Sequence, residues 1–234
     1  MPKATPKIAA TEGNCQIATQ ASAVYDRLQS DILTGKLKPG HKLRLKDLIK
    51  QYDTGNSPLR EDLNRLSEIG IVVREENRGF RVPPASAEEL MEITRTRCWL
   101  EEIALRESIK YGGSEWEERV VLAFHWLARA ARNSDKSSRT TSREWEDHHR
   151  EFHLALISAC NSSILIEFCA ELHQRSFRYR NLAEVVEYRD VHELEQHEAL
   201  QMAVLDRDVE RAVGLLKKHY TATSEILVES GRFD

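Results

Sequence analysis

The sequence contains no long hydrophobic run, which excludes a membrane-spanning helix. No apolar segment approaches the roughly 18 residues that such a helix needs. Residues 1–20 are small and polar, so we expect a flexible tail there and no signal peptide. Hydrophobic residues make up 41% and charged residues 31% of the 234-residue chain, as in a globular protein with an apolar core.

Cysteine is scarce, and strong net charge is absent. The cysteines at positions 15, 98, 160 and 169 form no CxxC pair, so we expect a reduced, cytoplasmic protein. The net charge of −4 excludes a strongly basic protein that coats nucleic acid. Residues 1–83 nevertheless contain 14 basic and 10 acidic side chains, against 20 and 28 in the remainder. A mildly basic front joined to an acidic remainder fits a DNA-binding domain attached to a second domain.

The segment Ser57–Gly70 has the features of a short helix with a defined start and stop. Ser57 suits the N-cap, Pro58 suits the first helical position, and Gly70 suits the C-terminal stop. Leucines and an isoleucine at helical spacing form one apolar stripe, and Arg60 and Arg65 lie outside it. Such a helix could bury one face and present arginine to a DNA major groove, although most short amphipathic helices are only core elements.

The neighbouring segments favour DNA binding. Helices are predicted at 21–34 and 45–52, and two strands at 71–76 and 79–82 follow the Ser57–Gly70 helix. This order of three helices and a β-hairpin is typical of a winged helix-turn-helix, predicted over 21–83. A Pro-Pro-Ala segment then ends the last strand.

From residue 86 onward only helical patterns occur, so the chain is expected to be mainly α. The second domain, 84–234, is predicted to be an antiparallel all-helical bundle. Its helices are predicted at 86–111, 114–132, 142–160, 162–182, 189–206 and 208–229.

Histidine recurs on the apolar stripes of this bundle. His149 and His153 lie four positions apart on one helix, and His197 and His219 occupy the apolar faces of two others. A buried imidazole without partners costs about 1–3 kcal/mol, so each could simply be a hydrogen-bonded core residue. Four on three neighbouring helices are better explained by one divalent metal, Zn²⁺ or Ni²⁺. The remaining bundle histidines, at 125, 148, 173 and 192, are assigned to the surface or the core.

Residues 23–82 resemble the GntR family of bacterial transcription regulators. The resemblance is carried by LxPGxxL at 37–43, the LKDL of the second helix, SPLREDLNRLSEIGIV, and the NRGFRV of the hairpin. It implies that Arg60 is the arginine of the recognition helix and Lys46 a second basic contact. It also implies that Arg78 and Gly79 form the tip of the wing. Asn56 departs from the family, which usually has arginine there.

Arg60 can offer two donors to a guanine edge or hold a phosphate, whereas Lys46 and Arg78 suit phosphates. For any one of these cations alone, an ordinary solvated surface charge is an equally good interpretation. The predicted DNA-binding residues are Lys46, Ser57, Arg60, Arg65, Arg78 and Gly79.

Residues 88–228 are similar to the FCD ligand-binding domain of the FadR subfamily of GntR regulators. That resemblance implies metal ligands at His153, His197 and His219. His149 stands where the family usually has aspartate, which keeps a ligand but removes a negative charge. The resemblance therefore implies a divalent metal cofactor, Zn or Ni, and leaves its identity open.

In this subfamily the metal and nearby arginines hold a small organic acid. Arg97 on the buried stripe of its helix is the first candidate, and Arg178 is the second. The alternative for Arg97 is a structural ion pair with Glu101, four residues later. The GGSEWE segment at 112–117 and the all-histidine site resemble carbon-starvation-induced regulators, which sense short dicarboxylic acids.

The sequence thus predicts a homodimeric DNA-binding transcription regulator, in the first place a repressor, that is not an enzyme. An organic acid at the metal site would control binding to an inverted-repeat operator. The alternative is a metal-dependent hydrolase or lyase that retains a DNA-binding-like front, since a histidine-bound metal can activate water. Glu151, between His149 and His153, would point away from their shared face.

Overall fold

A computed structural model describes residues 13–75, 79–133, 143–183, 191–231 and 233. The chain folds as two compact units, Met1–Ile32 with Lys36–Pro83, and Leu33–Gly35 with Pro84–Asp234. Within the described ranges, no helix is both long and apolar enough to cross a membrane.

The first unit is a winged helix-turn-helix, as predicted. Its helices and strands are α1 (Gly13–Leu33), β1 (Lys42–Leu43), α2 (Leu45–Tyr52), α3 (Asn56–Glu68), β2 (Val73–Glu75) and β3 (Gly79–Arg81). The three strands form an antiparallel sheet of order β1-β3-β2. Strand β1 was not predicted, because two residues are too few to show an alternating pattern. Helix α1 begins at Gly13, inside the segment that the sequence assigns to a tail.

Helix α3 buries its predicted stripe but begins two residues earlier than predicted. Leu59, Leu63 and Leu66 have no exposed surface. The N-cap is Gly55 and not Ser57, and the cap makes no side-chain hydrogen bond. Pro58 therefore lies within the first turn, where its missing N–H still leaves no intrahelical bond unmade. Gly70 ends the element with a φ of 72°, a left-handed conformation that glycine adopts without strain.

The second unit contains helices and no strand among its described residues, which confirms the predicted bundle. Its helices are α4 (Ala87–Tyr111), α5 (Ser114–Asn133), α6 (Arg143–Ile157), α7 (Ser163–Ala183), α8 (Val191–Leu205) and α9 (Val209–Glu229). Ser86 caps α4 by accepting a bond from the Glu89 N–H, and Asp208 caps α9 through Arg211 N–H. The segments 134–142 and 184–190 lie outside the described residues.

A continuous apolar core joins α5, α6, α8 and α9. Its largest buried side chains include Trp116, Phe152, Leu156, Leu200 and Leu216. Next to this core, α6, α8 and α9 direct histidines inward, and α4 and α7 direct arginines inward. The five helices therefore bring a buried polar cluster together inside the unit.

Candidate DNA-binding surface and metal centre

Arg60 is exposed near the start of α3, where the sequence predicts a DNA contact. Its Nε donates to Asn56 Oδ1 at 3.0 Å. This bond occupies the side of the guanidinium nearest the helix and leaves the two Nη groups available. Ser57, one turn before Arg60, and Lys46 on α2 are also exposed.

Arg65 is on the same helix but faces another way. Five residues along an α-helix correspond to a rotation of about 140° from Arg60. The Arg65 guanidinium lies 4.1 Å from the centre of the Tyr25 ring of α1 and 3.7 Å from the buried carboxylate of Asp62. The Tyr25 contact holds α3 against α1, and the DNA contact predicted for Arg65 stays a prediction.

The wing is short and is held by one arginine. Arg81 donates from Nη1 to the carbonyl of Gly40 at 2.8 Å and from Nε to Glu75 at 2.7 Å. Gly79 is exposed with a φ of 90°, and a side chain added there would meet open space. Arg78 lies outside the described residues, so the predicted wing-tip contact rests on the sequence alone.

The second unit brings the four predicted histidines together. The Nε2 atom of His153 lies 3.1 Å from Nε2 of His149 and 3.3 Å from Nε2 of His197. One ring nitrogen from each of these residues and His219 lies within 4.8 Å of the others, and all four side chains are buried. Nitrogens bound tetrahedrally at about 2.0–2.1 Å from a zinc ion lie about 3.3–3.4 Å apart. The spacing therefore fits a single divalent metal.

Two of these imidazoles are oriented through their second nitrogen. Nδ1 of His153 lies 2.9 Å from the hydroxyl of Tyr220, which itself donates to Glu101. Nδ1 of His219 lies 3.0 Å from the side-chain oxygen of Gln196. Outer partners of this kind are usual for metal-binding histidines.

His149 differs from His153 and His219 in the surroundings of its second nitrogen. Its buried Nδ1 has no hydrogen-bond partner among the described residues. The indole of Trp145 stacks on its ring, with centroids 4.6 Å apart and planes 13° from parallel. An orphaned buried nitrogen is costly in a closed core, and such a cost is tolerated more readily at a binding site.

Burial keeps the cluster neutral. It lowers the pKa of the buried imidazoles well below the usual histidine range, and neighbouring imidazoles and guanidinium groups lower it further. This applies to His149, His153, His173 and His219. Neutral imidazoles have the lone pair that a metal requires, so the donor set is chemically suited to Zn²⁺ or Ni²⁺.

Two buried Arg–Glu pairs flank the histidines. Arg97 Nε donates to Glu101 Oε1 at 2.8 Å, and Arg180 Nη2 donates to Glu146 Oε2 at 2.8 Å. His173 lies between them. Its Nδ1 is 3.5 Å from Nη2 of Arg97, and its Nε2 is 3.5 Å from Nη2 of Arg180. Arg97 therefore has the structural partner that the sequence offered as an alternative, and each pair is neutral as a unit.

Glu146 and His173 also lie near His149 in a second group of potential ligands. Glu146 is already bonded to Arg180, and His173 lies beside two guanidinium groups. The ligand atoms of this group are thus partly engaged, so the four-histidine group is the better metal site.

A small cavity of about 10 Å³ adjoins the histidines. That volume accommodates about one water molecule. Arg97, Arg180, His149 and His219 contribute to its wall, together with the residues Thr94, Ser176, Thr223 and Ser224. Arg178 is buried elsewhere on α7 and does not line this cavity. Of the two predicted effector-binding arginines, only Arg97 borders it.

Sequence reasoning missed Arg180, Glu146 and His173. The signal was present on α7, where His173 and Arg180 lie two turns apart on one face with the buried Cys169. Glu151, which lies between His149 and His153 in sequence, is 64% exposed. It therefore offers no general base to the cluster.

A winged helix-turn-helix unit joined to an all-helical unit defines a class, the DNA-binding transcription regulators with a separate helical domain. Residues 20–82 match the family described as bacterial regulatory proteins, gntR family, and residues 92–222 match the FCD domain. The chain belongs to the GntR family and carries an FCD domain, which confirms the resemblance found in the sequence.

Individual relatives agree with this assignment. The chain is 35% identical to BphR of Paraburkholderia xenovorans, an HTH-type transcriptional regulator, over 89% of this chain and 85% of BphR. It is 32% identical to the transcriptional repressor GlaR of Escherichia coli, over 88% and 94%. Among solved structures, E. coli McbR/YncC is similar, with a TM-score of 0.72 at 25% identity, covering 91% of this chain and 98% of that one.

Proposed function

We propose that this regulator is a repressor whose DNA binding is controlled by a small organic acid bound beside a divalent metal. The observation that carries the proposal is the convergence of four buried histidines from three helices next to two buried arginines. GlaR, one of the relatives, is named a repressor, which supports the direction of control.

Arg60 is the residue proposed to recognise sequence. Its free Nη groups can bond both acceptors of a guanine in the major groove, while the bond to Asn56 keeps the side chain directed. Lys46 and the wing residues Arg78 and Gly79 would contact the backbone and set the register of the protein on DNA. Ser57 lies on the same side of α3 as Arg60.

The two arginines of α3 provide a matched test of this assignment. Binding sites are first selected from fragmented genomic DNA with the wild-type protein. Arg60→Ala is expected to weaken specific binding by about 10–100-fold, because a bidentate base contact contributes about 1–3 kcal/mol. Arg65→Ala removes the same charge from the same helix and is expected to have a much smaller effect. Equal losses for both variants would refute Arg60 as the specificity contact.

The charge of the metal centre indicates which acids fit. Four neutral histidines and two neutral Arg–Glu pairs leave the charge of a divalent metal uncompensated, so the site would be close to +2. A buried charge of this size is stable only with an anionic partner. A dicarboxylate matches it better than a monocarboxylate, and Arg97 and Arg180 at the cavity wall supply hydrogen-bond donors.

Binding of such an acid requires a change of shape. The cavity is no larger than a water molecule, so side chains from α4, α7 or α9 must move to admit an organic acid. A ligand that binds only the rearranged bundle would shift the population toward it. The Pro83–Pro84 segment, one of the places where the chain passes between the two units, is a covalent route by which this change would reach the DNA-binding unit.

Metal content and ligand response test the centre separately. Elemental analysis should find about one divalent ion per chain in the wild type, and a loss of that ion in His153→Ala combined with His219→Ala. A thermal-shift screen of short mono- and dicarboxylic acids should then show stabilisation of the metal-loaded wild type only. Full metal content in the double variant would refute the four-histidine site. A bound metal with no response to any acid would refute the effector.

An exposed apolar surface supports dimerisation. Helices α4 and α7 are antiparallel, since Arg97 faces His173 and Glu89 faces Tyr179. Their outer sides carry Trp99, Ile103, Ile164 and Phe168, each more than half exposed. Apolar patches of this kind mark association surfaces, and a second copy of the chain would match the two-fold symmetry of an inverted-repeat operator.

A further inference from the structure

A chain of buried hydrogen bonds connects Arg97 to His153. Arg97 Nε donates to Glu101 Oε1 at 2.8 Å, Tyr220 donates its hydroxyl proton to Glu101 Oε2, and Nδ1 of His153 lies 2.9 Å from the Tyr220 oxygen. All four side chains are buried. The Arg97 guanidinium also lies over the Tyr220 ring, 3.8 Å from its centre, so the phenol is fixed on two sides.

The order of these bonds assigns the proton of His153. Glu101 is an ionised carboxylate because of its ion pair with Arg97, and a carboxylate only accepts hydrogen bonds. The single hydroxyl proton of Tyr220 is therefore directed to Glu101, and the phenol oxygen accepts from the ring of His153. His153 consequently has its proton on Nδ1 and a lone pair on Nε2.

We propose that Tyr220 is a positioning residue for the metal centre, holding His153 in the tautomer and orientation that present Nε2 to the ion. This inference rests on the proposed four-histidine site. The Nε2 atom it presents is the one 3.1 Å from His149 Nε2 and 3.3 Å from His197 Nε2.

The same chain links the metal ligand to the effector cavity. Arg97 forms part of the cavity wall and is the far end of the Glu101–Tyr220–His153 chain. An acid that binds Arg97 and breaks its ion pair with Glu101 would change the charge environment of Glu101, the carboxylate that accepts the hydrogen bond from Tyr220. Effector and metal should therefore alter each other's affinity by the same factor, as linkage requires.

Tyr220→Phe tests the proposal, and Tyr179→Phe is its matched control. Tyr179 is also buried in the second unit and also donates its hydroxyl to a glutamate, Glu89, but it does not line the cavity. Zinc affinity is measured by competition with a chromophoric chelator. Tyr220→Phe is expected to bind zinc about 10–100-fold more weakly than the wild type, the usual cost of losing an outer partner of a histidine ligand. Tyr179→Phe is expected to bind zinc like the wild type.

A second measurement is made on the wild-type protein, and a variant serves only to assign the signal. Nitrogen-15 NMR of histidine-labelled, metal-free wild type reports the tautomer of each ring, and His153→Gln identifies the signal. The Nδ1–H form of His153 supports the proposal, and the Nε2–H form overturns it. Equal zinc affinity in Tyr220→Phe and the wild type overturns the positioning role alone. Failure of the wild type to bind zinc overturns the metal centre and the positioning role together.

Discussion

Acid should destabilise the metal-free second unit more steeply than an ordinary domain. Burial lowers the pKa of His149, His153, His173 and His219 well below the unfolded value of 6.5. Each ring is then neutral in the folded protein but takes up a proton in the unfolded chain as the pH falls below 6.5. The unfolded state binds more protons there, so stability must fall with falling pH.

The size of the effect follows from the number of rings. One histidine that stays neutral in the folded state loses about 1.4 kcal/mol of stability between pH 7.5 and pH 5.5. The four rings together give a fall of about 5 kcal/mol. Small domains have total free energies of unfolding of about 5–15 kcal/mol, so this fall would remove a large part of the stability of the unit.

The assay is urea unfolding at several pH values, followed by tryptophan fluorescence. All four tryptophans lie between residues 99 and 145, so the signal reports the second unit. His173→Gln should reduce the fall by about 1.4 kcal/mol without removing a proposed metal ligand. His125→Gln, at an exposed position of α5, is the matched control. A total fall below about 1.4 kcal/mol in the wild type would refute a buried neutral cluster.

Three further outcomes follow from individual contacts. Asn56→Ala should weaken specific DNA binding by about 3–10-fold in fluorescence anisotropy, because Arg60 loses its 3.0 Å bond, and unchanged affinity would show that this bond does not direct Arg60. Phe168→Glu should convert dimers to monomers in analytical ultracentrifugation, since a charge would enter an apolar interface; a dimer of wild-type strength would refute the α4–α7 surface. Nickel should quench tryptophan fluorescence through the Trp145–His149 stack, and Trp145→Phe should remove most of that quenching. Equal quenching in that variant would show that the metal does not bind at His149.

The sequence predicted the elements whose signal is local. The leucine stripe of α3 and the four histidines both follow from helical spacing. Glycine at the N-cap of α3 could not be foreseen, because Ser57 satisfied the same local rule two residues later. Strand β1 exists only because it pairs with β3, a contact between residues about 40 positions apart.

The arginines illustrate why the rest of the site was hidden. Arg178 and Arg180 are both buried on α7 and differ by two positions, yet only Arg180 reaches the cavity, because two residues on a helix point in directions about 160° apart. Selecting between them requires the position of Glu146 on α6, which pairs with Arg180. The contact of Arg65 with Tyr25 could not be predicted for the same reason, since Tyr25 lies on α1, 40 residues earlier. Partners on other helices decide such roles, and a single helical pattern does not contain them.

The charge argument for the effector can be tested at the position where this chain departs from its family. His149→Asp would place a carboxylate in the metal-binding group and lower the charge of the loaded site from about +2 to about +1. The preferred acid should then change from a dicarboxylate toward a monocarboxylate, because the second negative charge would be buried without compensation. His149→Asn removes the imidazole without adding charge and should keep the dicarboxylate preference, which makes it the matched control. Thermal shifts of the metal-loaded variants with paired acids of equal chain length measure the preference. If His149→Asp and His149→Asn rank the acids identically, the charge of the site does not select its ligand, and selection must come from the shape of the cavity that Arg97 and Arg180 border.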